Sequence, residues 1–197
     1  MSIVVEHEKR RIEILEKALG VFMDDGFEDA TFQRIADRCG ITRTTLYIYF
    51  KNKKEIFNYS IKELLIKAEE SIQEIRADES MNNVDKITRV LLDILKLLEQ
   101  NRRLLSVILD YLLHLSKSDS SPEVRVRRRT VRLRHILASM VIEGVKNGEL
   151  KKVNIKTADD FLYGIIETAI FHLVILKRKS LTDLRDMVVF AVKQFAV

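Results

Sequence analysis

A single proline, Pro122, interrupts this chain of 197 residues, and only six glycines accompany it. Proline and glycine end helices and make the turns of β-sandwiches and barrels, so their scarcity favours long helices. Apolar residues also recur at three- and four-residue steps, as in Ile12, Leu15, Leu19 and Phe22, which is the spacing of one helix face. The pattern predicts an all-α fold, with a core supplied by the 47% of residues that are apolar.

Breaks in this periodicity, together with capping residues, predict about nine helices. The first stops near Gly26, Thr31 and Thr42 cap the second and third, and Ser121 with Pro122 starts the seventh as an N-cap and N1 pair. A loop is expected at 77–83. The fourth helix is predicted to begin near Lys53 and to include Ala68. The predicted ranges of the other helices after the first are about 31–39, 42–50, 84–99, 102–116, 122–146, 157–178 and 181–195.

Cysteine usage and apolar runs indicate a cytoplasmic protein with no membrane span. Cys39 is the only cysteine and can form no internal disulfide, and the opening residues carry charge before any secretory apolar stretch develops. The longest apolar stretch, 161–176, contains Glu167 and His172 and is shorter than the roughly 20 residues that a span needs. It is interpreted as a buried helix.

The formal net charge of +5 suggests an anionic partner, but the charge is unevenly distributed. Residues 1–55 hold ten basic and ten acidic side chains, whereas residues 121–152 hold nine basic and three acidic ones. Between Arg38 and Lys54 there are nevertheless five cations and no acid. A local basic patch therefore lies within a neutral N-terminal region.

The predicted third helix has two different faces. At 100° per residue, Leu46 shares a face with Thr42 and Phe50, which can pack on the second helix. Thr44, Thr45, Tyr47 and Ile48 lie on the other side. Exposure of large, partly apolar groups there suits a helix that enters a major groove, where methyl groups meet thymine and hydroxyls reach phosphate.

The spacing of the second and third helices also fits a helix-turn-helix, with Gly40 and Ile41 in the turn. From spacing alone, an ordinary corner between helices with a solvated basic rim remains an alternative. The segment TFQRIADRCGITRTTLYIYFKNKKEIF, residues 31–57, resembles the signature of the tetracycline-repressor (TetR) family of bacterial transcriptional regulators. Matching positions are Thr31, Ile35, Ala36, Gly40, Thr45, Leu46, Tyr47, Tyr49, Phe50, Lys53 and Ile56.

The resemblance covers about residues 8–60 and implies two domains. Residues 1–52 would form a helix-turn-helix DNA-binding domain, and residues 53–197 a helical effector-binding and dimerisation domain. By position, the resemblance implies that Thr31 and Lys53 hold phosphates and that Tyr47 and Tyr49 contact backbone or bases. Candidates for base reading are Gln33, Arg43, Thr44 and Thr45, and the geometry of the helix adds Ile48.

One position departs from the family pattern. Thr44 stands where many relatives have glycine, alanine or proline, so the side chain that reaches the bases differs here. The operator sequence is therefore open.

Polar residues within the apolar body are candidates for an effector pocket, with a role as satisfied core residues as the alternative. Glu167 is the most informative of them, because a carboxylate buried alone is costly. The candidates are Tyr111, His114, Tyr163, Glu167 and His172.

The last helix carries two apolar stripes, one of which can face outward to a partner. The resemblance implies that the last two helices pair with their copies in a homodimer as a four-helix bundle. The candidate interface residues are Ile165, Leu184, Val188, Ala191 and Phe195. Met187, Phe190 and Gln194 form the second stripe.

Two further features have alternative interpretations. RVRRRTVRLRH, at 125–135, suits an amphipathic helix with a solvated basic face, or a second site for nucleic acid, a membrane surface or an anionic effector such as an acyl-CoA. Cys39 is interpreted as a small buried hydrophobe, with redox sensing as the alternative.

These features favour a homodimeric regulator, most simply a repressor released from a palindromic operator by a small-molecule effector. The rival classes are a helical protein–protein adaptor and a small helical enzyme. No cofactor or metal is expected, since the four histidines form no ligand-spaced cluster and no glycine-rich phosphate loop is present.

Overall fold

A computed structural model describes residues 2–117 and 122–197, with the side chains of 5–115 and 131–197. This part of the chain contains nine α-helices and one isolated backbone bridge, between Leu150 and Ala196. The prediction of an all-α fold is confirmed. The helices are α1 Ser2–Asp29, α2 Phe32–Cys39, α3 Arg43–Tyr49, α4 Lys53–Ala77, α5 Asn83–Gln100, α6 Arg102–Lys117, α7 Pro122–Lys146, α8 Ile155–Val174 and α9 Thr182–Phe195.

Most helix ends lie where capping chemistry predicts them. The side chain of Asn82 accepts a hydrogen bond from the Asp85 amide at 2.9 Å and starts α5. Asn154 caps α8 in the same way through the Thr157 amide, at 3.0 Å. Gly148, with φ of 74°, follows the end of α7. The predicted cap at Ser121 lies outside the described residues.

Two helix ends differ from the prediction. Gly26 breaks the helical geometry of α1 with φ of 80°, as expected, but the chain resumes helical structure beyond it to Asp29. The eighth helix ends at Val174 rather than near residue 178, because Lys177 adopts a left-handed φ of 52°. A left-handed lysine is uncommon, and no glycine marks this end in the sequence.

The chain divides into two compact units, and the first comprises residues 1–68 with residues 107–111. Its core is built by α1, α2, α3 and the first part of α4. The aromatic rings of Phe22, Phe27 and Phe57 pack with Tyr111, whose ring centroid lies 4.4 Å from that of Phe27. Ser60, fully buried, donates to the carbonyl oxygen of Leu15 at 2.9 Å. The DNA-binding candidates all belong to this unit.

The second unit comprises residues 69–106 and 112–197, where α5, α7, α8 and α9 pack together. Its core is aliphatic and includes Leu91, Leu95, Leu137, Ala169 and Val188, which are completely buried. Each such leucine contributes about 1.5–3 kcal/mol relative to an exposed one. The predicted boundary between residues 52 and 53 stays a prediction.

Polar contacts also join helices within this second unit. Arg134 of α7 pairs with Asp159 and Asp160 at the start of α8, and these carboxylates raise the pKa of Arg134, with the hydrogen bond to Asp160 the larger cause. Glu99 of α5 pairs with Arg185 of α9 and accepts from the Leu181 amide. No helix in the described part of the chain is long and apolar enough to cross a membrane.

Candidate nucleic-acid interface

Helices α2 and α3 form a compact helix-turn-helix fixed by local hydrogen bonds. The Thr31 hydroxyl accepts from the Arg34 amide at 3.2 Å, and the Thr42 hydroxyl accepts from the Thr45 amide at 3.1 Å. Gly40 ends α2 in the left-handed conformation, with φ of 68°. A side chain at Gly40 would be strained there, so this glycine sets the turn between the two helices. Both predicted N-caps are confirmed.

The inner face of α3 is buried as predicted. Leu46 has no exposed surface and Phe50 is only 1% exposed, while Ile35 and Ala36 of α2 are also fully buried. Small Ala36 lets the two helices approach closely. Because α3 is only seven residues long, this packing rather than intrinsic helix propensity keeps it folded.

The opposite side of α3 presents large side chains to solvent. Tyr47 is 50% exposed and Ile48 is 70% exposed, and Arg43 and Thr44 are exposed beside them. We call Arg43, Thr44, Tyr47 and Ile48 the recognition face. Isolated apolar side chains on a surface are ordinary, but a helix that exposes four groups able to bind base edges and phosphate on one side is suited to a groove.

Contacts within the recognition face hold it in order. The Arg43 guanidinium donates to the Tyr47 hydroxyl at 3.2 Å and lies 5.7 Å from the centre of its ring. The Tyr47 ring packs on Phe32 of α2, with centroids 4.5 Å apart. Two side chains of the recognition face are therefore partly ordered in advance, which would lower the entropy cost of binding a partner.

The remaining candidates border this face. Thr31 and Gln33 are exposed on α2, and the Gln33 amide donates to Asp37 at 2.7 Å. Thr45 is half-buried and shares a hydrogen bond with the Thr42 hydroxyl at 2.8 Å. Tyr49, also half-buried, lies at the C-terminal end of α3.

Lys53 has a structural contact that its sequence position did not reveal. Its ammonium donates to the carbonyl oxygens of Phe27 at 2.8 Å and Glu28 at 2.6 Å, at the end of α1. A cation is favourable at the C-terminus of a helix. Two of its three donors are used in this way, which leaves one for a phosphate.

Ion pairs offset part of the positive charge around this site. Arg38 and Arg34 of α2 pair with Asp24 and Asp25 at the end of α1, so neither guanidinium adds much to the field. Arg43, Lys51 and Lys54 are exposed along and after α3, where no acid lies between Arg38 and Lys54. Arg43 of the recognition face and the two lysines that follow α3 therefore form a local basic patch.

Cys39, the last residue of α2, is buried rather than part of this surface. It is 3% exposed, and its sulfur lies 3.9 Å from the carbonyl oxygen of Ile14. Burial raises the pKa of the Cys39 thiol, so the reactive thiolate is disfavoured.

The five effector-pocket candidates differ in their surroundings. Tyr111 and Tyr163 are buried, and Arg134 lies 5.1 Å from the centre of the Tyr163 ring. The Tyr111 hydroxyl and Nδ1 of His172 are buried with no hydrogen-bond partner among the described residues. Glu167 and His114 are exposed, so Glu167 carries no burial cost. Their role in effector binding stays a prediction.

The candidate dimer-interface residues are largely covered within their own unit, and their role in an interface stays a prediction. Ile165, Leu184, Val188 and Ala191 are buried in the core of their own unit, and Phe195 is partly buried with its ring 5.7 Å from that of Phe161. A side chain already covered by its own chain has little surface to offer a partner.

The exposed apolar groups lie on the other side of these helices. The sequence showed two stripes on α9 but not which one faces inward, since both have helical spacing. We call the exposed set the outward residues: Phe161, Phe171, Ile175, Leu176, Met187 and Phe190.

Among the described residues, no group of three or more His, Cys, Asp or Glu side chains is placed to hold a metal ion. Sequence reasoning missed His7 and Arg11 of α1, which contact rings at the end of α3 and the start of α4. No local pattern marks a contact between residues so far apart in the chain.

Comparison with known proteins places this geometry in context. Residues 14–59 match the profile of the family described as bacterial regulatory proteins, tetR family. The fatty acid metabolism regulator protein of Bacillus subtilis (strain 168) is 24% identical over 160 residues, covering 81% of this chain and 80% of that protein.

Solved structures share the fold along nearly the whole chain. A TetR transcription regulator from Haloarcula marismortui superposes with a TM-score of 0.79 at 19% identity, covering 96% of this chain and 97% of the other. The transcriptional regulator FadR from Bacillus subtilis, in complex with stearoyl-CoA, gives a TM-score of 0.70 at 22% identity, covering 93% and 96%.

Proposed function

Because this chain belongs to the tetR family of bacterial transcriptional regulators, we propose that the recognition face of α3 binds the major groove of its operator. The exposure of Tyr47 and Ile48 on a helix otherwise anchored by Leu46 carries this proposal. A helix-turn-helix reads DNA with an anchored helix whose free face fits into the major groove.

Each side chain of the interface has a chemical role in the proposal. Arg43 reads guanine through a bidentate contact, Thr44 and Ile48 meet thymine methyl groups, and the Tyr47 hydroxyl binds phosphate. Thr45 and Gln33 are further base-reading candidates, and Tyr49 contacts the backbone. Thr31 and Lys53 hold phosphates, as the resemblance implies.

The regulator acts as a homodimer in this proposal. The outward residues of α8, of the segment just after it and of α9, with Phe190 the most exposed at 67%, supply an apolar surface for a second copy. Two recognition helices would then bind successive major grooves about 34–36 Å apart, which requires a palindromic operator.

A small molecule releases the dimer from DNA. We infer that this effector is a fatty acyl compound, because a relative that aligns over 81% of the chain is named a fatty acid metabolism regulator and a structural neighbour is in complex with stearoyl-CoA. The excess of basic residues in 121–152 suits the anionic end of such a ligand. Nδ1 of His172, which has no hydrogen-bond partner among the described residues, is a proposed polar contact in the second unit.

The effector proposal has a direct test with purified chain on its operator duplex. Stearoyl-CoA at micromolar concentration is expected to release the DNA, while coenzyme A alone is expected to leave it bound. Retention of the duplex with both compounds would contradict a fatty acyl effector.

The chain acts by binding rather than by catalysis in this proposal, as its relatives are named regulators. A protein that binds chromosomal DNA in a bacterium works in the cytoplasm. A helical adaptor, the rival class, would show no salt-dependent affinity for DNA.

The DNA-binding proposal is tested by recovering genomic fragments on the immobilised chain and measuring affinity for the enriched duplex. Tyr47→Ala is expected to weaken that duplex about tenfold or more, whereas Tyr47→Phe, which keeps the ring on Phe32, is expected to lose only a few-fold. Equal affinity of wild type and Tyr47→Ala would overturn the proposed recognition face.

A further inference from the structure

The first turns of α1 lie against the C-terminal end of α3. Residues 2–13 of this helix precede the segment that matches the family profile, which begins at residue 14. The His7 ring stacks on Tyr49, with ring centroids 4.6 Å apart and an interplanar angle of 24°. This first part of α1 therefore contacts Tyr49, the last residue of α3.

A second contact, one turn later, holds the same face of α1 in place. The Arg11 guanidinium lies 4.2 Å from the centre of the Tyr59 ring and 5.1 Å from that of Phe50. His7 and Arg11 are four residues apart, so both side chains project from one face of the helix. The stack on Tyr49 is thus part of a two-point attachment rather than an isolated surface contact.

Burial of Phe50 anchors the backbone at the end of α3, but it does not by itself order the Tyr49 side chain. The helix has seven residues, and its C-cap, Phe50, is already extended with φ of −145° and ψ of 140°. Tyr49 is the last helical residue and is only half-buried. A tyrosine side chain in that position loses rotamer freedom when it binds DNA, unless a neighbour has ordered it beforehand.

We propose that His7 is a positioning residue of the DNA-binding surface, whose ring, stacked on Tyr49, fixes the C-terminal end of the recognition helix for contact with operator DNA. This inference rests on the proposed function of α3. It extends the interface to a part of the chain outside the matched segment. His7 acts through Tyr49, so a flat ring at position 7 is what the arrangement requires.

The test uses the full chain and the duplex that wild type enriches from genomic fragments. His7→Ala is expected to weaken binding about two- to tenfold, the range of one aromatic pair, and His7→Phe is expected to restore it to within about twofold. Val5→Ala, on the same helix at an exposed position, is the matched control and is expected to bind as wild type does.

A double-mutant cycle separates positioning from an independent contact. In a Tyr49→Leu background, His7→Ala is expected to have no further effect on affinity, because the ring it positions is gone. Additive losses, no loss in His7→Ala, or no recovery in His7→Phe would each overturn the inference. If wild type enriches no duplex, the DNA-binding proposal is wrong, and this inference, which depends on it, is wrong as well.

A second measurement needs no DNA. With 3-fluorotyrosine in place of the five tyrosines, the fluorine resonance of Tyr49, assigned by its loss in Tyr49→Phe, reports the neighbouring ring. It is expected to shift in His7→Ala and to remain unshifted in Val5→Ala. An unchanged resonance in His7→Ala would show that the stack does not form, and would contradict the inference even if affinity fell.

Discussion

Helices α3 and α9 both bury one face in their own unit and expose large apolar side chains on the other. Tyr47 and Ile48 of α3 are matched by Met187 and Phe190 of α9. The surroundings differ, however. From residue 43 to residue 54 the chain carries four cations and no acid, whereas α9 carries two acids and two cations.

This difference indicates which partner each exposed face suits. An apolar group among uncompensated cations and hydroxyls fits a polyanion with methyl groups in its groove. An apolar group among balanced charges fits another apolar protein surface. From side-chain exposure alone, we would expect the same kind of partner for α3 and α9. The local charge distinguishes their expected partners.

The largest expected effect contrasts the two faces of α3. Leu46→Ala removes a fully buried side chain and is expected to lower the free energy of unfolding by about 2–5 kcal/mol. Ile48→Ala, on the exposed face, is expected to change that free energy by less than about 0.5 kcal/mol while weakening operator binding. Urea denaturation of both variants measures the stabilities. Similar losses in the two would show that α3 lacks a free face.

The next effect concerns α9. Phe190→Glu places a charge at the most exposed outward residue and is expected to weaken dimerisation by about 2 kcal/mol or more, roughly thirtyfold. Thr182→Glu adds the same charge at an exposed position on the same helix and serves as the control. Sedimentation equilibrium measures the dimer constant. An unchanged constant in Phe190→Glu would move the interface elsewhere.

A smaller effect separates two neighbouring lysines. Lys54→Met is expected to lower the slope of log affinity against log salt by about one unit without changing stability. Lys53→Met is expected to lower that slope by a similar amount and also to destabilise the fold by about 1–2 kcal/mol, since its ammonium binds the end of α1. If Lys53→Met lost stability but kept the wild-type salt slope, Lys53 would have only a structural role and would not bind phosphate.

The smallest effect is expected at Cys39. Its pKa is raised by burial, so the thiolate forms at higher pH in the folded chain than in the unfolded one. Alkylation by iodoacetamide at pH 8 is expected to be slow until denaturant is added, and Cys39→Ala is expected to bind the operator as wild type does. Fast alkylation of the folded chain would instead favour the alternative that Cys39 senses redox state.

The sequence predicts α3 better than α9 because the information about α3 is local. Thr42, Gly40 and the spacing of Leu46 and Phe50 act within a few residues, so caps, turn and buried face could all be derived in advance. On α9, the stripes of Val188 and Phe190 have the same period, and only the packing of α5 and α8 decides which one is buried.

Two other structural features could not be predicted from the local sequence. The early end of α8 depends on a left-handed Lys177, a residue type that gives no signal for that conformation. The stack of His7 on Tyr49 joins residues from two separate helices, and no periodicity within either helix predicts it. Contacts of this kind arise from tertiary packing alone.

Photocrosslinking tests the division of roles between α3 and α9 most directly. In separate variants, p-benzoylphenylalanine replaces Ile48 and Phe190, and each is irradiated with the enriched duplex present and absent. The chain with the probe at 48 is expected to crosslink to DNA, and the chain with the probe at 190 to a second copy whether or not DNA is present. Crosslinking to protein from position 48, or to DNA from position 190, would contradict the assignment of the two faces.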